Sequence, residues 1–441
     1  PTYRLLLGIP GKSNAFAISE KLGIKKEIID KARSLMDKQD VDIEALLKKI
    51  YDDKIEIERE KEEIQFCLCV PAYLRKAERK TVMDISVVTA VHNGEKYLRE
   101  TLDSILSQTF GNFEVIIIDD FSTDKTPEIL AEYAKKDDRI KVFANEENLK
   151  LARSLNKGIS LAGGKYIVRM DADDICLPDR FEKQFKYMET HPETDVSFCK
   201  YFLLQKGEIS PCIVGRKYDE KSVKAMFLFF CPVLHPGVIA KAEVFKKYEY
   251  DPLHTCSEDL DMWTRMICDG VRFSCEPDYL MLYRRHASQI TAKPTEKNAE
   301  EVMECMQFFY KNTLGEMSGE NADFYIDGIY LQNAFDKEKL LKFYKYIIGE
   351  NKKTKQFSKK AIINGMSEIL AEYRRKQPLS AGDKLSFFKF GGFGLVNNII
   401  SKKSQSKRDI ENARKEAENA GFILKEERYG IPIYTQGDTN E

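Results

Sequence analysis

An open, mainly parallel α/β sheet with helices on both faces is the fold that residues 84 to about 293 predict. Short β-branched apolar runs alternate there with amphipathic helical stretches through four cycles. The runs are apolar throughout rather than alternating, as strands covered on both faces must be. Three polar clusters, His92-Asn93, Asp119-Asp120 and Asp171 to Asp174, fall at the ends of such runs. Open α/β sheets bind their ligands at that end of the strands.

Each element has its own signal. ISVVTAV (85–91) reads as a first buried strand, and FEVIIID (113–119) as a second. Between them, Tyr97, Leu98, Leu102, Ile105 and Leu106 recur at helical spacing. STDKTPEILAEYAKK opens a second helix, with Ser122 or Thr123 as the expected cap and Pro127 in the first turn. RIKVFAN predicts the third strand, ARSLNKGISLA the third helix and KYIV (165–168) the fourth strand. Pro178 with Asp179-Arg180 starts the next helix. The order β-α-β-α-β-α-β is that of a parallel sheet with right-handed crossovers.

Bulk properties narrow the class. With 441 residues, two or three domains are within reach. Lys+Arg 70 against Asp+Glu 71 gives no global pull toward nucleic acid or an anionic membrane. Ten cysteines in this length make no disulfide scaffold, and no pair of C-x-x-C arms occurs. They read as reduced thiols of a cytoplasmic chain. No apolar run reaches the roughly 18 residues of a spanning helix. The greasiest stretch, AMFLFFCPVLHPGVIA, is short and reads as core.

Four zones follow. Residues 1–64 pair a strand-like YRLLLGI with charged helix. GIPGKS (8–13) is too short to wrap a phosphate chain, because Gly8 and Gly11 are only three apart. Residues 65–83 read as a linker, residues 84–293 as the organised domain, and residues 294–441 as mostly helical. In the last zone, SFFKFGGFGLVNNIISKK (386–403) is a candidate for peripheral membrane contact. The charged tail after it reads as an exposed helix. Nothing in the sequence fixes the oligomeric state.

RMDADDICLPDRF (169–181) places three carboxylates in four positions at a strand end. In an extended segment Asp171 and Asp173 point to one side. Two such carboxylates suit a hard cation, Mg²⁺ or Mn²⁺. A lone D-x-D is weak evidence, since acidic turns are common. A second acidic cluster, Glu258-Asp259-Leu260-Asp261, precedes Met262-Trp263. Its plainest explanation is a first helical turn stabilised by the macrodipole.

ISVVTAVHNGEKYLRETLDSILSQTFGNFEVIIIDDFSTDKT, NLKLARSLNKGIS, KYIVRMDADD and SEDLDMWTRM together resemble the family 2 glycosyltransferases of GT-A fold, over roughly residues 84–290. The resemblance implies an inverting, metal-dependent transfer of a sugar from a nucleotide-sugar, a UDP-sugar first among candidates. The acceptor would be a glycan or lipid-linked acceptor in cell-surface polysaccharide assembly. It implies that Ala90, His92, Asn93 and Asp120 hold the nucleotide. His92 stands where the family usually carries another aromatic residue. Asp119 would orient the turn, Arg153 and Arg169 would approach the diphosphate beside Asp171, and Asp171 and Asp173 would hold the metal with His286. Asp259 would be the general base. Trp263 reads as core or as a floor of the acceptor pocket. His235 is a weaker candidate, and His191 and His254 read as ordinary surface or structural histidines.

Residues 1–64 resemble the end of the ATPase domain in the endonuclease-bearing branch of MutS proteins, without the nucleotide-binding motifs. A DNA-transaction protein would show a basic groove or nuclease motif, and the sequence has neither. A silent GT-A binding module would have lost Asp173 or Asp259, and both are present.

Overall fold

The structure, a computed structural model, describes residues 83–212, 220–287, 289, 295–330, 336–376, 410–428 and 431–436. The readings of residues 1–64, of the linker up to residue 82 and of segment 386–403 lie outside them.

The organised zone opens with β1 (Ile85–Val91), α1 (Leu98–Leu106), β2 (Phe113–Asp119), α2 (Thr126–Lys136), β3 (Ile140–Ala144), α3 (Lys150–Leu161) and β4 (Tyr166–Arg169). These are the seven elements the apolar periods call for. The chain continues through β5 (Ile175–Cys176), α4 (Arg180–Thr190), β6 (Val196–Gln205), β7 (Glu208–Pro211), α5 (Glu220–Met226), β8 (Val238–Lys241) and α6 (Ala242–Lys247). Then come α7 (Glu258–Cys268), β9 (Phe273–Arg284), α8 (Glu296–Thr313), α9 (Gly319–Phe324), α10 (Lys337–Thr354) and α11 (Lys359–Lys376). Residues 410–419 are helical, and β10 (Phe422–Arg428) and β11 (Ile431–Gln436) form a hairpin.

One sheet carries the fold, in the order β10-β11-β7-β6-β8-β4-β1-β2-β3. β4, β1, β2 and β3 are mutually parallel, so their carboxyl ends share one rim. From β8 outward the sheet turns antiparallel: β8 opposes β4, and β6 opposes β8. β9 lies parallel to β6. The sequence does not disclose the antiparallel half, because a strand buried on both faces reads apolar in either direction.

Both faces of the parallel half are covered. In β2, Ile116 and Ile118 join one core cluster while Val115 and Ile117 join the other. That split is the period-two geometry of a strand between two helical layers. α8, α10 and α11 add Phe309, Tyr344 and Leu370 to the first cluster. Each such fully buried side chain is worth about 1.5–3 kcal/mol. Glu114 is tolerated inside β2 because Ser86 and Lys141 donate to it at 2.5 and 2.6 Å.

Three local expectations change. The expected cap of α2 fails: Lys125 is the cap position and makes no side-chain bond. Asp124 instead accepts from the Thr126 N–H at 2.9 Å, while Ser122 and Thr123 turn toward Asn93. The charged tail is no free helix. Ala413 and Ala417 are fully buried, and Tyr434 of the hairpin pairs with Ile209 of β7. The solvated face was legible, but the small alanines on the other face were not. Trp263 resolves to core, fully buried against Phe245, Phe273 and His235.

Gly164, just before β4, lies tight against β1. A Cβ there would sit 2.6 Å from the Ser86 nitrogen and 2.7 Å from the Ile85 carbonyl carbon. Backbone cannot yield as a side-chain tip can, so Gly164→Ala should cost about 1–3 kcal/mol. Urea unfolding monitored by circular dichroism measures this, and an unchanged midpoint would refute the close approach.

Candidate active site

The rim is built from the loops after β1, β2, β3 and β4. Three residues there adopt left-handed backbone without being glycine: Asn93 at φ 54°, Phe121 at φ 61° and Lys150 at φ 71°. Such conformations are uncommon and collect where a site over-determines the backbone. The loops brace one another. The Asn93 N–H donates to Ser122 Oγ at 2.9 Å, and Asn93 Oδ1 accepts from the Thr123 N–H at 2.8 Å. Asp119 orients its own turn by accepting from the Ser122 N–H at 3.1 Å.

Asp120 is buried and fully engaged. Its Oδ1 accepts from Asn145 Nδ2 and the Leu149 N–H, each at 2.8 Å, and its Oδ2 accepts from the Lys150 N–H at 2.9 Å. The carboxylate therefore sets the 145–150 loop. His92 is exposed on the rim, and its Nδ1 donates to the Asp120 carbonyl oxygen at 2.8 Å. Nε2 is then the acceptor and faces Asn93 Nδ2 at 3.2 Å and Asn148 Nδ2 at 3.3 Å. Ala90 is half-buried one residue before the end of β1.

The acidic turn differs from the extended pair expected. β4 ends at Arg169, and residues 171–174 turn instead of continuing extended. The turn brings three carboxylates together: one oxygen each of Asp171, Asp173 and Asp174 lies within 4.8 Å of the others. Arg169, 3% exposed, forms an ion pair with Asp171. His286 Nε2 meets Asp173 Oδ2 at 2.8 Å. Asp174 is fully buried; its Oδ1 accepts from the Arg284 N–H at 2.8 Å and its Oδ2 has no hydrogen-bond partner among the described residues. Burial and Asp171 push Asp173 up, against the pull of His286. Burial and both neighbouring carboxylates push Asp174 well up. A donor set of all oxygens, crowded enough to resist ionisation, fits a hard divalent cation.

The second cluster opens α7. Glu258 is buried and Asp259 half-buried, and Asp259 Oδ1 accepts from the Leu260 N–H at 2.7 Å. Burial pushes Asp259 up, and Asp171 adds to it; Leu260 and Arg169 oppose. Burial first, then Asp259, raise Glu258 to about 7, with Asp171 a further cause. Asp171 thus acts on both carboxyls of the distant cluster, and Arg169 acts on both clusters. A cavity of about 250 Å³ opens between the 145–150 loop and the start of α7, lined by Asn148, Leu149, Arg153, His254, Thr255 and Glu258. Arg153 is exposed in its wall and makes no ion pair among the described residues.

Several participants carried no sequence signal. Arg284 Nε donates to the Asp173 carbonyl at 2.8 Å, and its guanidinium lies 4.5 Å from the Tyr97 ring centroid. Tyr97 packs on His286 at 4.9 Å. Tyr250 donates or accepts with His235 Nε2 at 2.7 Å, and Arg169, Asp259 and Asp171 act on it. His235 is buried, and burial with Arg169 drives its pKa well down, so it is a neutral packing partner. Of these, the sequence offered only the Tyr97 spacing, which read as a helix face, and His235, which the structure turns into packing.

The raised Glu258 carboxyl has a thermodynamic consequence. Its stabilisation of the fold is complete below its ordinary value of 4.5 and is lost as pH rises through about 7. Stability should therefore fall between pH 5 and 8 by up to about 3 kcal/mol from this group. Glu258→Gln should make that slope shallower in melts taken across the range. An unchanged slope would contradict the assignment.

Comparison with known proteins bears on this geometry. The family described as Glycosyl transferase family 2 matches residues 86–206. An uncharacterized glycosyltransferase of Methanocaldococcus jannaschii is 40% identical over 203 residues, 45% of this chain and 70% of that protein. The O-antigen biosynthesis glycosyltransferase WbnJ of Escherichia coli is 32% identical over 237 residues, 52% of this chain and 89% of that protein. The structure of S. aureus TarS 1-349 in complex with UDP-GlcNAc aligns over 80% of this chain and 99% of its own, with TM-score 0.46 and 17% identity. The MutS resemblance of residues 1–64 lies outside both the matched segment and the described residues, and these findings give it no support. The matched segment and the extent of the M. jannaschii and E. coli relatives that is covered establish that the chain belongs to family 2 of the glycosyltransferases.

Proposed function

We propose that this glycosyltransferase moves a sugar from a nucleotide-sugar, a UDP-sugar first, to a glycan or lipid-linked acceptor in polysaccharide assembly, with inversion and with a divalent cation. A cytoplasmic location fits a nucleotide-sugar donor. No described helix is long and apolar enough to cross a membrane. One observation supports the reading: a single cavity is lined both by Asn148 and Leu149 of the loop that Asp120 braces and by Glu258 at the start of α7. The polysaccharide context rests on relatives such as the O-antigen enzyme.

In this reading Asp171 and Asp173, with His286 on Asp173, hold Mg²⁺ or Mn²⁺. When bound, that cation supplies positive charge for a departing diphosphate. His92, Asn93 and the Asp120-braced loop receive the nucleotide, and Arg153 reaches toward it from the cavity wall. Asp259 takes the proton of the acceptor hydroxyl as its oxygen bonds to the anomeric carbon. The bond from that carbon to the diphosphate oxygen breaks, and the nucleoside diphosphate leaves. Attack and departure on opposite faces invert the centre. Burial and Asp171 hold the Asp259 carboxyl above its ordinary value, closer to a useful base strength at neutral pH.

The test is a donor screen. Full-length protein with Mn²⁺ is offered UDP-, GDP- and dTDP-sugars, and nucleoside diphosphate release is measured with and without chelator. Release from a UDP-sugar that chelation abolishes is expected. Release that chelation leaves intact would sink the metal dependence, and a preference for GDP- or dTDP-sugars would sink the base assignment.

A further inference from the structure

We propose that His254, Asp261 and Cys305 form a separate metal site that takes Zn²⁺. The three come from three segments: the loop before α7, the first turn of α7 and the middle of α8. One ligand atom from each lies within 4.8 Å of the others. His254 Nε2 is 3.9 Å from Asp261 Oδ1, and His254 Nδ1 is 3.9 Å from Cys305 Sγ. Zinc bonds of about 2.0–2.3 Å hold tetrahedral ligands only slightly closer together than this. A metal takes one imidazole nitrogen only, and one ring nitrogen lies within 4.8 Å of both other ligand atoms.

The surroundings are built to hold the three in place. Glu301, one turn before Cys305, accepts from the Thr255 N–H at 3.0 Å, the Cys256 N–H at 2.9 Å and Ser257 Oγ at 3.2 Å. That clamp fixes the loop carrying His254 against α8. Arg265 Nη2 donates to Asp261 Oδ2 at 2.7 Å, which leaves Oδ1 turned toward His254. Such outer partners are what orient metal ligands. Cys305 is 2% exposed, while His254 lines the cavity beside Glu258. Three protein ligands leave a fourth place for water.

The local field favours a cation. Asp261, Asp259 and Glu301 surround the Cys305 sulfur with negative charge. That charge attracts a divalent metal, and binding expels the thiol proton to solvent. Facing cations are Arg265, already on Asp261, and Lys297, exposed and on Glu301. Thiolate with imidazole selects Zn²⁺ over Mg²⁺ or Mn²⁺, so this site and the all-oxygen turn at Asp171 sort their metals by ligand chemistry. Zinc here would pin the loop, α7 and α8 together directly behind Asp259.

The test uses metal-free full-length protein titrated with Co²⁺ and then Zn²⁺. A thiolate-to-cobalt charge-transfer absorption in the near ultraviolet is expected, displaced by one Zn²⁺ per chain. Cys305→Ser should abolish the absorption and weaken Zn²⁺ at least ~100-fold. Asp173→Asn should leave both unchanged. If Cys305→Ser does not fold, His254→Gln, at a half-buried position, should show the same loss of Zn²⁺ affinity. No absorption, an absorption that survives Cys305→Ser, or Zn²⁺ affinity unchanged in His254→Gln would overturn the site.

Discussion

Asp259→Asn should lower kcat by about 10²–10⁴-fold while leaving donor affinity nearly intact. The reason is local. Asn keeps the acceptor oxygen that receives the Leu260 N–H, so the first turn of α7 is undisturbed. What disappears is the lone pair that takes the hydroxyl proton. Removing that charge also relieves Glu258, for which Asp259 is the second cause of its rise after burial. The variant should therefore show a Glu258 that titrates lower, read from the pH dependence of its melting temperature. Turnover within a few-fold of the parent chain would dismiss Asp259 as the base. Lost donor binding would place it on the donor side instead.

Asp173→Asn should move stability and binding in opposite directions. Its carboxyl is pushed up chiefly by burial and by Asp171, so at neutral pH the charged form strains the fold. Below its ordinary pKa that strain is absent, and it develops as pH rises through the raised value. Neutralising the side chain should then raise the melting temperature of the metal-free protein. The same change removes a cation ligand and weakens the hold on His286, now 2.8 Å away. Mn²⁺ affinity, measured by calorimetry, should fall at least ~10-fold, and cation-dependent donor binding with it. A variant less stable than its parent without metal, or unchanged in Mn²⁺ affinity, would count against the cation site. Sites of this kind commonly trade fold stability for function.

The parallel half of the sheet was legible because burial on both faces writes a continuous apolar run. VIII in β2 and ISVV in β1 leave no other reading. The acids at strand ends were legible for the complementary reason: a lone carboxylate such as Glu114 can be paired inside a run, but a cluster of them cannot, so it marks where the strand stops. The turn at residues 171–174 escaped, because two carboxylates at i and i+2 look the same in extended and turned backbone. His254 and Cys305 escaped as ligands because they stand 51 positions apart, on segments that only meet when α8 packs on α7. Arg284 and Tyr97 escaped likewise: neither an arginine at a strand end nor a tyrosine at the start of an amphipathic helix announces a partner.

The sequence by itself determined the alternation of elements, the rim on which polar groups collect and, through motif order, the family. Hydrophobic period and residue chemistry are local properties, and a chain displays them before it folds. Tertiary structure decided which acids share a field, that Asp120 is spent on bracing its neighbouring loop, and that a charged tail extends the sheet through Tyr434 and Ile209. Those outcomes depend on distances between residues far apart in the chain, and only packing sets such distances.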